Sequence, residues 1–581
     1  MKQILRICAL FLALCLLTGA MTSCFTLARL TDLLPRETQT ETRGEGETEE
    51  DGKGSVSAAP NRLRYTLNEA YVESFYALLE DCETLTLAGT DVLAIEAAWE
   101  ELEASYYHIS SQAQVAYIWY CIDSENETYE EQYLTSSEVS GETYDAYMAV
   151  CRRIDESSSP YREEFFSDWT ADEIEQMRSY SSEVTELEQI NDRFLVDYRD
   201  LDLERQEAEM IALYRAFVEN QNAIAALEGY ESYYEYASAE VFSRDYGKAE
   251  RERFRGYVKE YLVPLSKVLY ESLMEKLDAL NMLQYGVVSD FMSESYDSLS
   301  KDYLDLYLSS FDADTQSVMR QMLDEEHSLF VNSYRAYDGA FTTYLQEDEA
   351  AFCYFGPSYQ DIMTVAHEMG HFYAFQTHVD STDLLDLAET HSQGNEWLMM
   401  AFLEDEISSA LYEAILCYQL YDALATVIVS TIVDEFEEAV YTGNVDMSRP
   451  DDAMDRIAEG YGGKVFLREY LLDDINLYWK YVVVESPVYY LSYAISGMAS
   501  LSLYTVAAQD YARGQSVYCS LATMVSRSIW ANTEQIYIIA RPRGVLVSIC
   551  SLILTKAILC AESKAKKLEK SSTSRLTRSI L

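Results

Sequence analysis

His367 and His371 stand four residues apart with Glu368 beside the first, in the stretch TVAHEMGHFYAF (364–375). The 581-residue chain has only six histidines, so two within five positions are a local concentration. On a helix, residues i and i+4 lie one turn apart on the same face. Two imidazoles so placed can hold one divalent cation, and the adjacent carboxylate can take a proton from a water that the ion polarises. That is the chemistry of metal-assisted hydrolysis. The plain alternative is a helix face carrying two solvated or core imidazoles. Gly370 weighs against it, because glycine inside a helix costs about 1 kcal/mol relative to alanine. A close approach of another backbone explains the glycine better.

A catalytic zinc takes three protein ligands and leaves a position for water. The nearest source of a third is a second helical pattern over 383–416, DLLDLAETHSQGNEWLMMAFLEDEISSALYEAIL. It carries Glu389 and Glu396, seven residues apart on one face, with Ser392 between them. His391 is the other candidate, turned by about 200° from Glu389 around the helix. Both cannot face one ion, and the pattern alone leaves the choice open. A solvated helix face is the ordinary explanation for such glutamates.

These residues need rigid elements. From Leu63 to about Ile539 the apolar pattern is helical almost throughout, as in YVESFYALLEDCETL, where Tyr71, Phe75, Leu78 and Leu79 share one face. Gly229 separates two helical stretches. The many tyrosines fall at helical spacing, which predicts core or half-buried rings with hydroxyls at the surface. The segment RAYDGAFTTYLQEDEAAFCYFGPSYQ (335–360) is different: it predicts one or two short strands ending at Gly356-Pro357. Ser358, three residues before Asp361, then predicts that the histidine helix begins near Tyr359.

The rest of the chain bounds location and partners. Lys2 and Arg6 precede the apolar run ICALFLALCLL, which predicts a signal peptide over 1–23. Its end, LTGAMTSC, resembles a bacterial lipoprotein signal, with Cys24 as the lipidated residue; an ordinary secretory signal is the alternative. Residues 36–60 are polar, charged and almost free of large apolar side chains, which predicts a disordered acidic tether over 24–60. The globular body is expected over 61–540. Residues 541–581 form an apolar and basic tail, read either as a weak second membrane segment at 544–561 or as sequence foreign to the fold. Cys82, Cys121, Cys151, Cys353, Cys417 and Cys519 are scattered, without a CxxC pair, and read as buried small hydrophobes. A net charge of −56 repels phosphate backbones, so no nucleic-acid partner is expected.

GPSYQDIMTVAHEMGHFYAF, followed by ETHSQGNE, resembles the oligoendopeptidase F branch of the thimet oligopeptidase (M3) family of zinc metallopeptidases. That pattern is H-E-x-G-H and then E-x-x-S-x-x-x-E. LEGYESYYEYASAEVFSRDYG (227–247) and ESPVYYLSYAIS (485–496) resemble two further segments of it. The resemblance implies one Zn²⁺ held by His367, His371 and Glu389, with Glu396 supporting the site and Glu368 as general base. It implies that Tyr493, with Tyr490 or Tyr489, donates to the oxyanion. The fold implied is mostly α: a large two-lobed multi-helix peptidase enclosing a deep substrate channel, with a catalytic core at about 335–505. A small β element beside the site would pair with peptide substrate as an added strand. The function implied is hydrolysis of internal bonds of short peptides; the N-terminal signal and Cys24 add the expectation that this takes place outside the cytoplasmic membrane, on a lipid anchor. The alternatives are a catalytically weak or inactive peptide-binding lipoprotein, and a zinc metallocarboxypeptidase on a related helical fold. Three positions depart from the family: Val482 stands where a histidine is frequent, Val488 replaces phenylalanine, and His391 occupies a place usually small and apolar.

Overall fold

A computed structural model describes residues 60–522 except 168, 204, 245, 281–297, 378–384 and 473. The signal-like segment, Cys24, nearly all of the tether and the 541–581 tail lie outside the described residues. The N-terminal helices begin where short polar side chains can accept backbone N–H groups. Asn68, Asp91 and Asn126 cap α1 (Glu69–Ala88), α2 (Val92–Ile122) and α3 (Glu127–Asp155) in this way. α1 buries Phe75, Leu79 and Cys82 in the smaller of two hydrophobic cores found among the described residues. α2 runs through both: Ile95, Trp99 and Ile109 belong to the smaller core, Val115, Ile118 and Tyr120 to the larger. α4 (Ser182–Arg199) and α5 (Glu207–Leu227) follow. Gly229, at φ +85°, separates α5 from the next short helix at Tyr233–Tyr236, as its position in the sequence predicts.

The irregular segment is a hairpin. β2 (Ala340–Leu345) pairs antiparallel with β3 (Ala350–Phe355), setting Thr342 opposite Cys353. A third strand, β1 (Ser328–Phe330), was not evident from the sequence; it adds to β3 in parallel, giving the order β1-β3-β2. The hairpin lies across the C-terminal half of α2, where Thr343 Oγ1 donates to Gln114 Oε1 at 2.9 Å and Glu347 N donates to Ser111 Oγ at 2.9 Å.

The histidine helix is α6 (Ile362–Thr377), which starts three residues later than Ser358 predicts. Its cap is Asp361, whose Oδ1 accepts from Met363 N and Thr364 N at 2.9 and 3.0 Å. The turn after Pro357 continues through Tyr359, whose N–H donates to Gly356 O, and this delays the helix. The 383–416 pattern is two helices rather than one. α7 (Leu385–Glu406) ends before Ser408, which has extended backbone, and α8 (Ser409–Tyr441) begins after it. α8 is apolar and long enough to span a membrane, yet 83% of its most apolar window is buried inside the protein. α9 (Tyr490–Ala507) packs on α7 and α8, and α10 (Tyr511–Ala522) packs on α7 and α9.

α6 and α7 approach at Gly370. A Cβ there would sit 2.4 Å from the His391 carbonyl oxygen and 2.7 Å from Ser392 Cα, both backbone atoms that cannot rotate away. Asn395 on α7 donates to Ala366 O on α6 at 2.6 Å, tying the two helices one turn further along. Gly370→Ala is therefore expected to lower stability by about 1–3 kcal/mol, the scale of overpacking. Without the close approach, alanine's helix propensity would raise stability by up to about 1 kcal/mol. The sign of the shift in urea unfolding separates the two.

Candidate metal centre

Three side chains from two helices converge. His367 and His371 come from α6 and Glu389 from α7, and their donor atoms all lie within 4.8 Å of one another. Glu389 Oε2 is 3.4 Å from His367 Nε2 and 3.7 Å from His371 Nε2. Donors about 2.0–2.1 Å from a tetrahedral ion are about 3.3–3.4 Å apart, and the two contacts of Glu389 are close to that spacing. All three residues are buried. His391, the competing candidate, faces the other way: its Nε2 lies 3.2 Å from Leu521 O on α10.

The protonation states suit a cation. Burial lowers His371 to about 3, leaving the imidazole neutral with a lone pair to offer. Burial alone would raise Glu389, but His371, His367 and the Tyr489 hydroxyl outweigh it and hold the carboxyl down at about 2. His367 Nδ1 lies 2.7 Å from Glu396 Oε1, a contact that directs Nε2 toward the cluster. Ser392 Oγ donates to Glu389 Oε2 at 3.0 Å, and Tyr489 OH donates to Glu389 Oε1. The donor set, its burial and its charge state fit zinc.

Glu368 sits beside the cluster and is itself buried. Burial pushes its carboxyl up to about 7, against the opposing effects of His367 and a hydrogen bond from Thr342. That bond runs from Thr342 Oγ1 on β2 to Glu368 Oε2 at 2.7 Å, so the hairpin fixes one oxygen of this carboxylate. The sequence signals the strand but not this contact, which spans 26 residues.

The tyrosine segment enters from α9. Tyr489, Tyr490 and Tyr493 are all buried. The Tyr489 and Tyr493 rings meet edge to face at 4.9 Å, and Tyr490 packs edge-on against Tyr493 at 5.6 Å. Tyr489 thus holds the carboxylate of Glu389, a role distinct from the oxyanion contact expected for the segment. Just before it, Val488 has φ +61°. A β-branched residue there carries strain of about 1–3 kcal/mol.

Residues given no role by sequence reading secure this region. Arg244 Nη2 donates to Val488 O at 3.2 Å and to Ser492 Oγ at 3.0 Å. Asp386, one turn before Glu389, accepts from Ser492 Oγ at 2.7 Å and from Tyr246 OH at 2.6 Å. The Arg and Tyr of SRDYG therefore lock α7 to α9. Buried tyrosine hydroxyls recur as internal ties, as in Tyr307 OH to Asn395 Oδ1 at 2.6 Å, where the sequence predicts surface hydroxyls. Among the described residues the six cysteines form no disulfide, and all but the half-buried Cys519 are buried.

No protein-family model matches the chain, and no curated protein matches it. Solved structures do. A structure described as oligoendopeptidase F aligns with a TM-score of 0.67 and 17% identity, over 85% of this chain and 97% of its own. Pz peptidase A with a bound inhibitor gives 0.65 and 17%, over 85% and 98%. A Bacillus anthracis protein described as oligoendopeptidase F gives 0.65 and 16%, over 86% and 98%. At this identity the likeness is one of fold, and the chain has the fold of these proteins.

The geometry separates the two candidate third ligands. Glu389→Ala should weaken Zn²⁺ binding by at least about 10- to 100-fold, whereas His391→Ala should leave it nearly unchanged. Competition with a chromogenic chelator measures both, and loss in the His391 variant alone would reverse the assignment.

Proposed function

We propose that the chain is a zinc-dependent oligoendopeptidase of the oligoendopeptidase F type, hydrolysing internal bonds of short peptides. The observation that carries this reading is the convergence of His367, His371 and Glu389 on one point, with the buried Glu368 next to them. The shared fold supports it. Zinc, when bound, supplies a Lewis acid that acidifies a water and polarises the scissile carbonyl. Glu368, with Oε2 held by Thr342, accepts a proton from the attacking water and returns it to the leaving amine nitrogen. Its burial favours that exchange, because a carboxyl raised towards neutrality can take and give the proton at similar cost. Tyr493, with Tyr490, donates to the developing oxyanion, while Tyr489 keeps Glu389 ionised and oriented. We further infer, from residues 1–24, that the protein works outside the cytoplasmic membrane on a lipid carried by Cys24.

Glu368→Gln keeps the helix and the ligands but cannot accept a proton. It should bind Zn²⁺ like the parent and lose at least about 10²-fold in kcat/KM on a quenched-fluorescent peptide. Tyr493→Phe should slow turnover by about 10- to 10³-fold with little change in KM. A chelator should abolish parent cleavage, and the products should be internal fragments; release of single C-terminal residues would mean a carboxypeptidase instead. A peptide-binding module would show no parent activity to lose. Cys24→Ala should leave the protein unlipidated and release it from membranes; a variant still bound after fractionation would overturn the anchor.

A further inference from the structure

Glu437 lies on α8, outside the ligand cluster, and is fully buried. Its Oε1 accepts the Val488 N–H at 2.8 Å, and its Oε2 bonds to nothing among the described residues. The carboxyl therefore serves one backbone group. The carbonyl of the same residue, Val488, accepts from the buried Arg244 at 3.2 Å. Both polar groups of residue 488 are thus held by buried side chains from elements far apart in the chain. The residue they hold is the one whose φ, +61°, an L side chain with a branched Cβ rarely adopts. The next residue is Tyr489, whose hydroxyl meets Glu389. A change of φ at 488 reorients the chain on one side of the N–Cα bond relative to the other. Relaxation of the strained residue would therefore move Tyr489 at the mouth of α9, while Glu389 stays fixed on α7.

We propose that Glu437 is a positioning residue for the zinc ligands, holding Val488 in its left-handed conformation so that Tyr489 reaches Glu389. The proposal rests on the zinc-peptidase reading above and adds a residue to it. Its distinctive content is that the anchor is needed only because residue 488 has a Cβ. Glycine adopts positive φ without strain, so with glycine at 488 the anchor becomes dispensable.

The test measures the affinity of the purified full chain for Zn²⁺ alone, by chelator competition, with peptide cleavage alongside. Glu437→Leu, of similar volume but without an acceptor, should weaken Zn²⁺ binding by about 10- to 100-fold. Glu437→Gln keeps the acceptor oxygen and should stay within about threefold of the parent. Adding Val488→Gly to Glu437→Leu should restore affinity to within about threefold of the parent. Unchanged affinity in Glu437→Leu, or a loss that Val488→Gly does not restore, overturns the proposal. If Glu437→Leu fails to fold, the double variant decides: folded and zinc-binding supports it, unfolded overturns it. A parent that binds no zinc would instead overturn the underlying reading, an outcome distinct from all of these.

Discussion

The contact between α6 and α7 at Gly370 sets the distances on which the site depends. With backbone atoms of His391 and Ser392 lying where a side chain would begin, the two helices cannot be spaced by ordinary side-chain packing. Their closeness lets a carboxylate from one helix reach two imidazoles on the other without long, mobile stems between them. It also places Ser392 against Glu389 and Asn395 against the α6 backbone. The energetic logic is that of any buried charge: Glu389 stays ionised in the interior because His371, His367 and the Tyr489 hydroxyl outweigh the cost of its burial. Removing the approach would leave those groups buried and without one another.

Around this pair the protein is held by polar ties as much as by apolar area. Arg244, Asp386, Tyr246 and Ser492 form one buried cluster joining the R-D-Y segment, α7 and α9. A second joins the segment before α9 to the earlier helices: Arg199 at the end of α4 pairs with Glu485 at 2.9 Å, and Tyr198 OH donates to Tyr481 O at 2.8 Å. Both clusters converge on residues 481–492, the stretch that carries the tyrosines. Such networks are costly when half made, so they specify one arrangement strongly.

What the sequence revealed followed the range of the signal. The two histidines are legible because helical spacing is local, and the close approach at Gly370 because glycine is out of place inside a helix. Glu389 was distinguished from His391 only through the family resemblance; in the structure Glu389 lies with His367 and His371, while His391 Nε2 meets Leu521 O. The hairpin was legible as one or two short strands, from the Thr342–Tyr344 and AFCYF runs before a Gly-Pro break; β1, three residues long, had no pattern to offer. The roles of Thr342, Asp386, Arg244 and Glu437 were not legible, since each depends on a partner 26 to 244 residues away. Tyrosines mislead for a related reason: periodicity reports that a ring is buried, and says nothing of where its hydroxyl ends.

α2 is a stiff rod about 45 Å long at 1.5 Å per residue, with one end embedded in each hydrophobic core. The hairpin rests on it beyond its midpoint, through Ser111 and Gln114. Mechanically this is a lever with the hairpin at the fulcrum. Thr343 touches the rod and Thr342, its neighbour on the opposite face of the strand, touches the carboxylate of Glu368. A tilt of the smaller core would therefore be transmitted along β2 to the carboxylate of Glu368.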